Sequence, residues 1–184
     1  MRKLVLLVAL GCAVTACSPS EPAPTGAPTP TLAGTPSVDP STDPLYLEAV
    51  DVYKKFQSEL SRAELSGFEP KSLSPSIDAY ATGTLKEAVE ATYQADRQSG
   101  FILKGNPDAS TLAFSPNPGA SKAGSSIALR ACVDASALQV VERNSGKISG
   151  KGTLTYKEIF FKEFDGKLKA FAQESREVDK CPIS

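Results

Sequence analysis

The chain has 184 residues, 41% of them apolar and 22% charged, with 20 basic against 21 acidic side chains and neither His nor Trp. That length suits one ordinary domain plus an extension at one end, and a net charge of −1 speaks against the basic face that a nucleic-acid partner needs. The missing His removes imidazole metal ligands, Ser-His-Asp and Cys-His triads and the usual general base near neutral pH.

Met1-Arg2-Lys3 is a basic start, and Leu4 to Val14 is an apolar run without a charge. As a helix that run rises about 16 Å, roughly half a bilayer core, too short to span a membrane. It reads as the apolar region of a secretory signal, to be excluded from the fold. Val14-Thr15-Ala16-Cys17 follows: an aliphatic residue, two small ones and a cysteine. This run resembles the lipobox of bacterial lipoproteins, and does so better than the residues before Cys12. The resemblance implies cleavage of residues 1–16 and lipidation of Cys17; a plain secretory signal with Cys17 as a bystander is the alternative. Each buried acyl methylene contributes about 0.8 kcal/mol, so two or more chains would anchor the protein stably.

Residues 17–44 carry eight of the chain's 14 prolines, with Ser, Thr, Ala and Gly between them and no aromatic residue. Such a segment cannot bury enough apolar surface to offset its ordering entropy and is expected to be a disordered tether. Its reach is at most about 80 Å where polyproline II forms.

The domain is expected over 45–184. Tyr46, Ala49, Val50, Tyr53, Phe56, Leu60 and Ala63 recur at three- and four-residue spacings, which predicts a first helix that Gly67 closes. Pro44 sits just before it, where a missing N–H costs nothing. After a loop through Pro70 and Pro75, a second helical stretch is expected from about 76 to 99, with Ile77, Tyr80, Ala81, Leu85, Ala88, Val89 and Thr92 inward. Gly83 is a point where it can break in two, and Gly100 is its stop.

Strand chemistry then takes over. Phe101-Ile102-Leu103 and Thr111 to Phe114 are short candidates, and a Pro/Gly/Ser loop spans 115–125. Ile127, Leu129, Ala131 and Val133 alternate with other residues as in a half-buried strand. Leu138 to Val141 make another strand, followed by an Asn144-Ser145-Gly146 turn. Two long strands, about 152–164 and 167–178, meet at Asp165-Gly166, a strong hairpin signal because both residues tolerate φ > 0. Apolar parity slips between Tyr156 and Ile159, which predicts a bulge or bend there. Helices first and a meander of strands after predict an α+β domain, with N-terminal helices packed on a curved antiparallel β-sheet.

Tyr80-Ala81-Thr82-Gly83, Cys132-Val133-Asp134-Ala135-Ser136, Ser145-Gly146 and the terminal Cys181-Pro182 together resemble actinobacterial secreted lipoproteins with a nuclear-transport-factor-2-like (ketosteroid-isomerase-like) cone domain. The resemblance spans residue 45 to the end; it implies a cone fold and an envelope location, but no particular activity. With Cys12 in the signal and Cys17 lipidated, Cys132 and Cys181 remain, and outside the membrane two such cysteines are expected to pair. They close a loop of 49 residues, to which chain entropy assigns about 4 kcal/mol at most.

No catalytic motif stands out. Gly146 to Gly152 superficially suggests a phosphate loop, but the spacing is one residue short, Gly152 stands where Ser or Thr is needed, and a hairpin connection explains it. Cones of this kind can run proton transfers with a carboxylate and a tyrosine, and the candidates are Asp78, Asp96 and Asp134 with Tyr53, Tyr80, Tyr93 and Tyr156. Asp78 is expected to face water and Asp134 to cap its own turn, while Tyr53 and Tyr80 fall on apolar helix faces with their hydroxyls at a rim. The short charge runs Lys54-Lys55, Lys157-Glu158 and Lys162-Glu163 read as solvated faces.

The expectation is therefore a non-enzymatic, lipid-anchored protein on the extracytoplasmic face of the cell membrane. It binds an envelope protein or a small apolar ligand, with Tyr53, Phe56, Tyr80 and Leu85 as pocket-lining candidates and no cofactor, metal or nucleic acid. An isomerase or dehydratase using Asp and Tyr, and a phage-exclusion or immunity lipoprotein, are the alternatives. An enzyme would need an open pocket with a buried carboxylate.

Overall fold

The computed structural model describes residues 39–106 and 111–183. The expected signal segment, Cys17 and most of the expected tether lie outside them. The last tether residues are folded: Asp39 accepts a hydrogen bond from the Ser41 amide at 2.9 Å and caps a short 3-10 turn, Pro40–Thr42.

Helix α1 (Pro44–Leu65) starts where Asp43 accepts from the Leu45 and Tyr46 amides, with Pro44 as the first helical residue. The side-chain oxygen satisfies amides that a helix start leaves unpaired, and the proline ring presets φ. Helix α2 (Gly83–Gln98) is shorter than the periodicity predicted. Residues 75–80 form turns, and Ala81 makes a parallel bridge to Ala170. The Ala170 amide donates to the Tyr80 carbonyl and its carbonyl accepts from the Thr82 amide, each at 2.9 Å. Those backbone groups are thereby taken from any helix, and Gly83 turns the chain with φ +56°, a conformation glycine adopts without steric cost.

Seven strands follow: β1 (Phe101–Lys104), β2 (Thr111–Pro116), β3 (Ile127–Asp134), β4 (Gln139–Glu142), β5 (Ile148–Lys151), β6 (Leu154–Phe164) and β7 (Lys167–Glu177). They form two sheets rather than one, a four-stranded β2-β3-β6-β7 and a three-stranded β1-β4-β5, and every pairing between strands is antiparallel. The domain is thus α+β with helices first. Part of the stretch expected to be a plain hairpin connection is strand β5, paired with β4. Asp165 (φ 51°) and Gly166 (φ 69°) turn β6 into β7, as a two-residue hairpin demands.

Alternation divides the larger sheet into two faces. Leu129, Ala131, Ile159, Phe161, Leu168 and Ala170 join Tyr46, Ala49, Tyr53, Phe56 and Ala63 of α1 in the main core. Ala128, Phe160, Phe171 and Ala172 form a second cluster on the outer face. Lys162 lies 4.9 and 4.6 Å over the Phe164 and Phe171 rings, so it covers apolar surface rather than belonging to a merely solvated run.

The bulge lies between Phe160 and Phe161, just beyond the expected Tyr156–Ile159 stretch. Phe160 pairs with Ala172 and Phe161 with Ala170, which makes Phe171 the extra residue of β7. The apparent slip at Tyr156 has a different cause. Tyr156 faces outward, where Arg176 stacks 4.4 Å from its ring, and the inward position beside it is taken by Lys157. Cys132, register partner of Tyr156, is bonded to Cys181 with the Cα atoms 5.9 Å apart. The bond ties the chain end to the sheet's outer face.

Candidate functional site

Tyr53, Gln57, Leu60 and Glu64 follow one another at spacings of four, three and four residues, so they stack along one face of α1. The upstream end of that face is solid core. Tyr53 and Phe56 are 0% and 1% exposed, with ring centroids 5.7 Å apart. The Tyr53 hydroxyl donates to Gln173 Oε1 at 2.6 Å, and burial pushes its pKa up, so it stays protonated. With Oε1 engaged, the Gln173 amide is oriented and its Nε2 has no hydrogen-bond partner among the described residues.

Downstream the interior opens into a half-open cleft of about 460 Å³, walled by Leu60 and Glu64 of α1, Leu85, Val89 and Tyr93 of α2, and Gln173 of β7. Ala88 and Thr92, expected inward, are exposed and also line the cleft. The volume falls in the range of small-molecule sites. The α2 wall is fixed by its grip on the preceding loop. Tyr93 Oη donates to the Pro70 carbonyl at 2.9 Å, Glu90 Oε2 accepts from the Leu73 amide at 3.0 Å, and Arg97 Nε donates to the Phe68 carbonyl at 3.2 Å.

Glu64 is the one formally charged side chain among the described residues that wall the cleft. Among the described residues its carboxyl makes no ion pair within 4 Å and no side-chain hydrogen bond. Burial pushes its pKa up to about 7; the Lys157 ammonium pulls it down and the Asp96 carboxylate raises it further. Lys157 pairs in register with Ala131 and Ser175, so it shares the inner face of the sheet. Burial lowers its pKa, against the opposing influence of Glu64. Burial also raises the pKa of Tyr93. The arrangement offers a cleft with apolar walls at Leu60, Leu85 and Val89, polar ones at Thr84, Thr92, Gln173 and Ser175, and a carboxyl able to gain or lose a proton near neutrality.

Of the four residues expected to line a pocket, Leu85 does. Tyr53 backs the cleft through Gln173, Phe56 belongs to the filled core, and Tyr80 is half-buried against that core. Among the carboxylates, Asp78 pairs with Lys86 at 2.6 Å and accepts from Ser74 at 3.1 Å, contacts that hold its pKa below the usual range. Asp134 accepts from the Ser136 amide at 2.9 Å within its own turn, which likewise lowers its pKa. Asp96 opens onto a different hollow, beside Phe101 and Ile102, and burial raises its pKa.

Sequence reasoning missed Glu64, Lys157 and Gln173, although signals existed. Glu64 lies four residues after inward Leu60, and Lys157 has the parity of Ile159 and Phe161. Among the described residues no cluster of His, Cys, Asp and Glu could hold a metal ion, and no helix is long and apolar enough to cross a membrane. The chain matches no protein-family model, and comparisons with curated proteins and with solved structures give no match either.

Proposed function

We propose that this chain is a lipid-anchored extracytoplasmic lipoprotein, acylated at Cys17. Its nuclear-transport-factor-2-like domain holds a small apolar ligand in the cleft between α1, α2 and β7. The observation that carries the reading is the cleft itself: a slot of about 460 Å³ whose walls include Leu60, Leu85 and Val89, beside a core already filled by Tyr53 and Phe56. The Cys132–Cys181 bond suits an oxidising exterior.

Two measurements test it. Mass spectrometry of protein from the native host finds acyl groups on Cys17, and detergent phase separation places the protein in the detergent layer; an unmodified amino end removes the anchor. Decanol displaces a fluorescent apolar probe from the wild type, and Leu85→Trp, which fills the slot, abolishes probe binding. Probe binding that ignores Leu85→Trp removes the ligand site.

One observation favours a second reading, a proton-transfer enzyme. Glu64, with its pKa near 7, and Tyr93 line the same cleft, and a base is most effective when its pKa lies near the working pH. Turnover of an isomerase or dehydratase substrate that disappears in Glu64→Gln would establish it over simple binding.

A further inference from the structure

We infer that the cleft takes an apolar molecule bearing a single positive charge, a hydrophobic amine or ammonium. Its cationic head sits at Glu64 and its apolar body lies along Leu60, Leu85 and Val89. The inference rests on the ligand-binding reading above and names the class of ligand.

Three features of the walls point this way. Glu64 is the sole formal charge lining the cleft, and its carboxyl has no ion pair within 4 Å and no side-chain hydrogen bond among the described residues. A half-buried carboxylate without a close partner is poorly compensated for the water it has lost, and a ligand cation would supply that partner. Tyr93, 2% exposed with its hydroxyl given to the Pro70 carbonyl, stands in the same wall and brings no positive charge. Among the described residues no cation lines the cleft to receive an anionic head. Lys157, the nearby ammonium, lies on β6 and is not among the walls.

The titratable groups facing Glu64 are Lys157 from β6 and Asp96 and Tyr93 from α2, while β7 presents Gln173 and Ser175. A bound ammonium competes with Lys157 for Glu64 and is helped by Asp96. It favours the ionised carboxylate, so binding releases a proton from Glu64 and strengthens as pH rises through neutrality.

The experiment uses the chain carrying Cys17→Ala, which removes the acylation site, and titrates it calorimetrically with decylamine, 1-decanol and decanoate at pH 6 and pH 8. Decylamine is expected to bind about tenfold to a hundredfold tighter than decanol at pH 8, the worth of a charge-assisted hydrogen bond. It should weaken about tenfold at pH 6, as the ionised fraction of Glu64 falls, while decanol stays level. Glu64→Gln should erase the preference for the amine and keep decanol binding, and Lys157→Met should tighten the amine at pH 8. Decanoate binding tighter than decylamine, or an amine affinity indifferent to Glu64→Gln, overturns the inference and leaves the ligand-binding reading standing. Binding of none of the three removes both.

Discussion

Replacing Glu64 by Gln should stabilise the domain at alkaline pH, the reverse of what removing a carboxylate from a folded protein usually does. In the folded state its pKa stands at about 7 against an ordinary 4.5, with burial as the leading cause. The folded state therefore holds the proton more tightly than the unfolded chain does. The stability this confers is complete below pH 4.5 and is lost as pH rises through about 7. A rise of this size corresponds to about 3 kcal/mol by pH 8, at roughly 1.4 kcal/mol per pKa unit. Most of that cost appears between pH 5 and pH 8, so the gain from Glu64→Gln should grow by about 2–3 kcal/mol over the same interval.

Lys157 trims the gain, because Glu64 supports its charge in a buried position and the amide does not. The double variant Glu64→Gln with Lys157→Met isolates that coupling. Urea unfolding at the two pH values gives both terms directly. A pH-independent effect of Glu64→Gln, or a loss of stability at pH 8, would show that the carboxyl is well solvated and that the site is wrongly described.

Three further outcomes follow from particular contacts. Opening the bond between Cys132 and Cys181, which closes a separation of 49 residues, with the Cys132→Ala and Cys181→Ala pair should cost up to about 4 kcal/mol in urea unfolding, and reductant should reproduce the loss in the wild type. Gly152→Ala puts a Cβ into overlap with the Ala135 carbonyl; the backbone there must shift, and the melting temperature should fall by an amount equivalent to about 1–3 kcal/mol. Tyr53→Phe removes the 2.6 Å hydrogen bond to Gln173, costs about 1 kcal/mol, and frees the amide to turn toward the cleft; an unchanged unfolding midpoint would mean that Gln173 finds another donor.

Sequence periodicity found the elements whose residues obey one rule at a time. Helix α1 has an apolar stripe strong enough to mark it despite Gln57 and Glu64, and the β6–β7 hairpin has an Asp-Gly turn between long strands. Legibility failed where two rules met at one residue. In the stretch before α2, Ile77 and Ala81 are fully buried at helical spacing, but the Tyr80 carbonyl and the Thr82 amide bond to Ala170 of β7, a tertiary partner that no local pattern announces. Strand β5 exposes most of its side chains, so no apolar alternation marks it, and only its register with β4 makes it a strand.

The cleft was hidden for a related reason. Polar residues on apolar faces look like noise in a hydrophobic pattern: Lys157 reads as part of a solvated run with Glu158, and Glu64 falls outside the apolar set of α1. Yet a core position given to a carboxyl or an ammonium carries a desolvation cost that an apolar residue would avoid. Two such positions interact here from α1 and β6, with Glu64 in the wall of the cleft beside the core that Tyr53 and Phe56 fill. Lys157, which obscures the strand parity at Tyr156, thus also acts on the Glu64 carboxyl that gives the cleft its chemistry. A charged residue at the right phase for the core is evidence for a site, to be weighed before the stripe is read as imperfect.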